Sequence, residues 1–88
     1  MNDRKNLSYA IKLNTEITPI TGKIKHLDMI QEAKIDLLVF ASGNKRHDIY
    51  LADIQKLDLE GEIQKIVEII QNKRRNLIIE KENKFKEL

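Results

Sequence analysis

Residues 35–52, IDLLVFASGNKRHDIYLA, contain the secondary-structure signal that decides the predicted fold class. The apolar side chains of residues 35–41 fall on both alternating faces, which predicts a strand that is covered on its two sides. Residues 42–45, Ser-Gly-Asn-Lys, are typical of a hairpin turn because glycine and asparagine tolerate positive φ. Residues 48–52 are predicted to be the returning strand, so the stretch predicts an antiparallel hairpin.

Upstream of this hairpin, the pattern also favours strands. Residues 7–13 alternate apolar and polar side chains with a period of two, which predicts a half-buried strand. Residues 17–27 are predicted to form a second, irregular strand, with Pro19 at an edge, a bulge or the strand start because it cannot donate to a ladder. Gly22 fits sharp curvature in that strand. A short helix over residues 27–33 is the competing interpretation.

Downstream, residues 53–57 are predicted to form one tight turn that places Ile54 and Leu57 in the core. Asp58 is the predicted N-cap of a helix over residues 60–84. The apolar positions of this helix follow the spacing i, i+3, i+4 and i+7, which indicates an amphipathic helix. They are Ile63, Ile66, Val67 and Ile70.

The predicted C-terminal helix is about 37 Å long at the usual rise per residue. That length exceeds what is needed to cover a barrel built from the preceding strands. We therefore expect its second half, which carries more charge, to project from the domain or to meet another chain.

The composition of the chain excludes some kinds of site and some functional classes. The chain has 88 residues, no cysteine and a formal net charge of +2, with basic ends and an acidic middle. Disulfides and thiolate metal ligands are thus excluded, and the charge is too small to indicate nucleic-acid binding by itself. No segment resembles a signal peptide or a membrane span, so a cytoplasmic location without membrane contact is expected. The abundance of Lys, Ile, Asn and Glu suggests a low-GC coding source, such as a Firmicute or one of its phages. A phage-encoded protein expressed in the bacterial host is one possibility that this leaves open.

No catalytic or metal motif is present in the sequence. His26 and His47 flank turns or strand ends and lack the three or four convergent ligands that a metal site needs. Neither Ser8 nor Ser42 lies in a nucleophile-elbow context. The glycines are isolated, so no phosphate-binding loop is predicted. We expect a protein that is not an enzyme and takes no cofactor.

Two basic segments are candidate binding sites. The turn residues Gly43, Asn44, Lys45 and Arg46 could contact a phosphate or a nucleic-acid backbone, although an ordinary hairpin tip has the same composition. The second segment lies on the C-terminal helix, where a basic run could follow a nucleic-acid backbone or be a solvated face. With the apolar residues that follow, we predict it to bind a partner. Its residues are Lys73, Arg74, Arg75, Leu77 and Ile78, and Ile79 extends the apolar run.

Three segments resemble the strand pattern of small Sm-like or SH3-like barrels: residues 20–28 (ITGKIKHLD), 35–39 (IDLLV) and 49–57 (IYLADIQKL). Over residues 8–58 the chain also resembles the YolD-like family of Firmicutes and their phages. The resemblance implies a binding barrel without an active site, often linked to nucleic-acid transactions such as lesion bypass.

These observations together predict a single α+β domain over residues 1–88. A small curved antiparallel sheet or SH3/Sm-like barrel of four or five short strands, residues 7–57, would precede the long helix, residues 60–84. The periodicity does not distinguish an open sheet from a closed barrel.

The predicted function is a non-enzymatic protein-protein interaction module that docks on and modulates a larger protein, such as a nucleic-acid enzyme. In size, charge and lack of motifs the chain resembles phage-encoded inhibitors of host defence, including anti-CRISPR proteins. Two alternatives stay open. One is direct nucleic-acid binding through the basic residues, which also include Arg4 and Lys5. The other is a structural homo-oligomer.

Overall fold

The computed structural model describes residues 2–86. Two long helices flank a β-hairpin and a short helix. The elements are α1 (Asn2–Glu32), β1 (Leu37–Ser42), β2 (Lys45–Tyr50), α2 (Leu51–Lys56) and α3 (Glu60–Lys86). None of the described helices combines the length and the apolar character that crossing a membrane requires.

The α+β class and the long C-terminal helix are confirmed, but the predicted barrel is wrong. Within residues 2–86 the sheet has two antiparallel strands, not four or five. Residues 7–13 and 17–27, predicted as strands, both belong to α1, as do most residues of the competing short helix. The barrel fold implied by the Sm-like and YolD-like resemblance is therefore not the fold of this chain.

A heptad-like repeat explains why the N-terminal third is helical. Along α1, half-buried residues recur at alternating intervals of three and four, while most positions between them are exposed. This spacing keeps one stripe of a helix against a neighbouring helix. The stripe consists of Ala10, Leu13, Ile17, Ile20, Ile24, Leu27 and Gln31. The period-two alternation over residues 7–13 is too short to compete with it.

Pro19 lies inside α1 rather than at a strand edge. A proline in a helix interior removes one backbone hydrogen bond and costs about 3 kcal/mol relative to alanine. Pro19 and Thr15 are both exposed, so the Thr15 carbonyl that loses its partner can bond to water. Gly22, predicted to mark strand curvature, also lies on the exposed side of α1. Packing of the helix stripe thus outweighs two unfavourable local residues.

The hairpin turn is where predicted. The strand register pairs Leu37 with Tyr50 at the open end and Ser42 with Lys45 at the turn. This register leaves a two-residue loop whose first residue, Gly43, has a φ of 59°. A glycine with positive φ at that position is what a type II′ hairpin turn requires.

The strand bounds differ from the prediction by a few residues. β1 begins at Leu37, because Ile35 precedes the ladder and packs against the core instead. β2 is Lys45–Tyr50 rather than residues 48–52. The polar residues after the turn therefore pair in the ladder, and the chain turns into α2 directly after Tyr50.

The turn after β2 is a helix that ends in a Schellman motif. Ile54 is 1% exposed, as predicted, whereas Leu57 is 62% exposed and does not enter the core. Asp58 has a φ of 56° and donates its N–H to the Gln55 carbonyl (3.2 Å), while the Leu59 N–H bonds to the Ile54 carbonyl (2.9 Å). These two bonds define the motif. Asp58 therefore terminates α2, and it is not the N-cap of α3.

The buried core is small and lies at one end of the long helices. Ile54, Ile63 and Val67 are its buried apolar residues. Half-buried side chains from every other element pack around them: Leu27, Ile35, Leu38, Ile49 and Leu59. This cluster joins the hairpin and α2 to the paired helices.

The two long helices are antiparallel, and polar contacts define their register. Lys34, just after α1, is 3.6 Å from Glu60 at the start of α3, and Lys81 is 3.3 Å from Glu16 at the far end. Between them lies Gln71, which is 2% exposed. Its Nε2 donates to the Ile24 carbonyl (2.8 Å) and to Asp28 Oδ1 (3.0 Å).

The resulting molecule is elongated. Its principal extents are 63 × 28 × 18 Å and its radius of gyration is 18.2 Å. A compact domain of this length would have a radius of gyration of about 12 Å. Much of each long helix therefore has only the other helix as a neighbour.

Replacing Pro19 with alanine should raise the free energy of unfolding by about 1–3 kcal/mol, because the variant restores a helix hydrogen bond. Urea unfolding followed by far-UV circular dichroism measures this change. Thr21→Ala, at an exposed position of the same helix, is the control and should change stability by less than about 0.7 kcal/mol. A Pro19→Ala variant less stable than the parent chain would contradict a continuous α1.

The left-handed conformation of Asp58 should make Asp58→Gly more stable than Asp58→Ala by about 1 kcal/mol, because only glycine avoids the Cβ clash at positive φ. Thermal unfolding of the two variants, compared side by side, measures the difference. Equal stabilities would show that residue 58 does not hold the φ that the Schellman motif needs.

Candidate protein-binding surface

An apolar groove opens between the C-terminal half of α1, the start of β1 and the N-terminal half of α3. Its cavity volume is about 300 Å³. The lining residues are all apolar: Leu27, Ile30, Ile35, Leu37, Leu38, Ile63, Ile66, Val67 and Ile70. Groove-shaped sites lined by aliphatic side chains are typical places for apolar parts of a partner to bind.

The groove has a buried floor and an exposed rim. Ile63 and Val67 form the floor and belong to the core. The rim residues keep large exposed fractions: Ile30 40%, Ile66 52% and Ile70 37%. The rim is therefore apolar surface that the fold leaves open to solvent.

The rim continues along α3 as a second apolar stripe. Ile66, Ile70 and Leu77 follow intervals of four and seven, and Leu77 is 42% exposed. We call these three residues the outer stripe. The positions that face α1 form a separate stripe that passes through Val67 and Gln71. Helix α3 therefore carries apolar residues on two faces, and α1 covers one of these faces.

The basic segment predicted on α3 is divided by the fold. Lys73 is exposed beside the outer stripe. Arg74 turns toward α1, where its Nη1 donates to Gln71 Oε1 (3.1 Å) and to the Lys23 carbonyl (3.4 Å). Arg75 is 3.8 Å from an Asp28 carboxylate oxygen. Two of the three cations thus already have partners within the helix pair.

The apolar run that follows is divided as well. Ile78 is half-buried at a position that repeats the spacing of Arg74 and Lys81 toward α1. Leu77 and Ile79 are exposed on either side of it, at 42% and 52%. Residues 77–79 are consequently not one surface patch. Of the predicted partner-binding residues, Lys73 and Leu77 lie at the candidate surface.

The hairpin tip carries the candidate phosphate contacts. Gly43, Asn44 and Lys45 are exposed there, but Arg46 Nε donates to Asp48 Oδ1 at 2.7 Å. The hydrogen bond and the charge of Asp48 raise the pKa of Arg46. A phosphate at this tip would have to compete with that carboxylate.

The described residues contain no group of three or more His, Cys, Asp and Glu side chains that could hold a metal ion. In the same part of the chain, every buried side-chain nitrogen and oxygen has a hydrogen-bond partner. The buried polar side chains of the described residues therefore have structural partners.

Sequence reasoning missed the groove. Leu27 was assigned to the end of the second strand, with a short helix over residues 27–33 as the competing interpretation, so no pairing of a long α1 with α3 was considered. Two signals could have revealed it: the heptad-like spacing from Ala10 to Gln31, and the surplus of isoleucines on α3 beyond one stripe.

In comparisons with known proteins, no family model, no curated protein and no solved structure matches this chain.

The contrast between floor and rim can be measured with two chemically identical substitutions on α3. Ile63 is 7% exposed, and Ile63→Ala should cost about 2–4 kcal/mol of stability because it opens a cavity. Ile66 is 52% exposed, and Ile66→Ala should cost less than about 1 kcal/mol. Urea unfolding at low protein concentration measures both, and equal costs would contradict an open groove.

Proposed function

We propose that this chain is a non-enzymatic interaction module that binds a protein partner through the apolar groove and the outer stripe. The observation that carries the proposal is the groove itself, whose rim isoleucines are exposed in a chain with a small core. Covering them would remove apolar surface from water, at about 25 cal/mol per Å².

The chemistry of the groove favours a protein rather than a nucleic acid as its occupant. All its lining residues are aliphatic, so they offer neither cations for phosphates nor aromatic rings for bases. An amphipathic helix that inserts apolar side chains at intervals of three and four fits such a groove between elements. Lys73 beside the outer stripe would then favour an acidic residue at the edge of the partner.

We further propose that the partner is a larger protein whose activity the module modulates, such as a nucleic-acid enzyme. The size of the chain, its charge pattern and its lack of catalytic motifs resemble those of phage-encoded inhibitors of host defence, including anti-CRISPR proteins. Such an inhibitor would work in the cytoplasm of the bacterial host.

Direct nucleic-acid binding has less geometric support. Arg46, Arg74 and Arg75 contact side chains or carbonyls of the chain itself. The side chains of Arg4 and Lys5 lie outside the part of the chain whose side chains are described. A mobility shift with DNA or RNA that weakens steeply with salt would favour this alternative over the proposed one.

The proposal predicts that a protein captured from a lysate of the source organism is lost when Ile66 is replaced by lysine, because the charge would have to be buried in the complex. Ile69→Lys is the matched control: Ile69 lies on the same helix and is 54% exposed, against 52% for Ile66, but it does not line the groove. Affinity capture with quantitative mass spectrometry makes the comparison.

Circular dichroism should show the same helix content in both variants. A partner that Ile66→Lys and Ile69→Lys retain equally would not bind through the groove and would remove the basis of the proposal.

A further inference from the structure

One edge of the β-hairpin is unprotected. On one side β1 is paired with β2, and no other strand lies within residues 2–86 to pair with its opposite side. Residues 37–42, LLVFAS, contain no charge and no proline. Val39 and Phe40 are 41% and 57% exposed. An exposed apolar edge of this kind is a template for another strand, which proteins normally block.

The other edge is blocked. β2 carries Lys45, Arg46 and Asp48, and Arg46 and Asp48 form an ion pair at 2.7 Å. Charged side chains on an edge strand deter pairing, because an incoming strand would have to desolvate them. The hairpin therefore has one edge suited to pairing and one edge that resists it.

We propose that a second copy of this chain pairs antiparallel along β1, so that a four-stranded sheet forms in the order β2, β1, β1, β2. An interface built on a two-fold axis uses the same patch twice and needs no other protein to supply a complementary strand. The charged β2 strands then lie at both outer edges, which stops the assembly at two copies. The inference goes beyond the proposed function, since it concerns the backbone edge of β1 and not the outer stripe of α3.

In an antiparallel pair of identical strands, a two-fold axis perpendicular to the sheet lies midway between the two copies of one residue. That residue therefore faces itself across the interface. An axis through Val39 places Leu38 opposite Phe40 of the second copy and Leu37 opposite Ala41 of the second copy. All the facing residues are then apolar, and aromatic and β-branched residues in such cross-strand positions stabilise a sheet.

The isolated chain exposes more surface than a compact monomer of its mass. Its accessible area is 7531 Å². A compact monomer of 10.3 kDa is expected to expose about 5,400 Å². The excess follows from the elongated shape, with extents of 63 × 28 × 18 Å, and Val39 and Phe40 of β1 contribute to it. A two-stranded hairpin is also marginal by itself, so added strands would stabilise it.

Light scattering coupled to size-exclusion chromatography tests the dimer with the full chain. The parent chain should have twice the monomer mass of 10.3 kDa. Val39→Lys should have the monomer mass, because the axis would place two lysines opposite each other. His47→Lys, an exposed position on β2, is the control and should remain dimeric.

A cysteine crosslink tests the register. The chain has no cysteine of its own. Directly opposed residues of antiparallel strands have Cα atoms about 4.5–5.5 Å apart, which a disulfide can span. Val39→Cys should therefore form a covalent dimer under mild oxidation, whereas His47→Cys should not.

A parent chain that is monomeric at high concentration would overturn the proposal, even if Ile66 still governed capture of a partner. A dimer that survives Val39→Lys, or that crosslinks through residue 47 and not through residue 39, would likewise overturn it. Dimerisation lost in Val39→Lys together with a crosslink at residue 39 supports it, whether or not any other protein is captured.

Discussion

The antiparallel packing of α1 against α3 is the interaction on which the rest of the structure depends. Within residues 2–86 neither helix has a second long helix as a neighbour, and the chain has no cysteine to link them. The stripe on α1 is mostly aliphatic, which supplies attraction but little register specificity. Gln71 specifies the register, because its amide can donate to both the Ile24 carbonyl and Asp28 Oδ1 in only one axial alignment of the two helices. A buried polar residue in a helix seam commonly has this role.

The packing is uneven along the helix pair. At the hairpin end, Ile54, Ile63 and Val67 are buried by contributions from all the other elements. At the far end, the cross-helix polar contact is the exposed pair of Lys81 and Glu16. Local stability follows buried apolar contacts, so opening should begin at the far end and the hairpin end should open last. The groove and the β1 edge thus lie on the most stable part of the molecule.

The groove and the β1 edge have a common physical origin. A chain with a core of this size cannot cover all the apolar residues of two long helices and a two-stranded ribbon. Part of the excess is clustered: Ile63, Ile66 and Ile70 of α3 meet the first residues of β1 at one place, where Leu37 and Leu38 belong to both features. Other exposed apolar residues, such as Ile11, Leu57 and Ile79, lie outside this cluster.

The sequence by itself determined the features that depend on local chemistry. The Gly43 turn follows from the need for positive φ, the hairpin from two β-rich runs around it, and α3 from a long 3.6-residue period. Burial of Ile54 was also predicted, because a tight turn over residues 53–57 places its side chain toward the core. Leu57, three residues later, points to solvent because the left-handed Asp58 ends α2 and redirects the chain.

Tertiary structure alone decided the state of the N-terminal third and the roles of the α3 side chains. Residues 7–27 contain a short alternation that favours a strand, and a proline and a glycine that disfavour a helix interior. Their heptad-like spacing stabilises a helix only when another helix covers the stripe. That helix begins at Glu60, far along the chain. For the same reason, Arg74 and Ile78 were predicted to face a partner, but they pack toward α1. The sequence of a helix does not show which of its faces is covered until the position of the neighbouring helix is known.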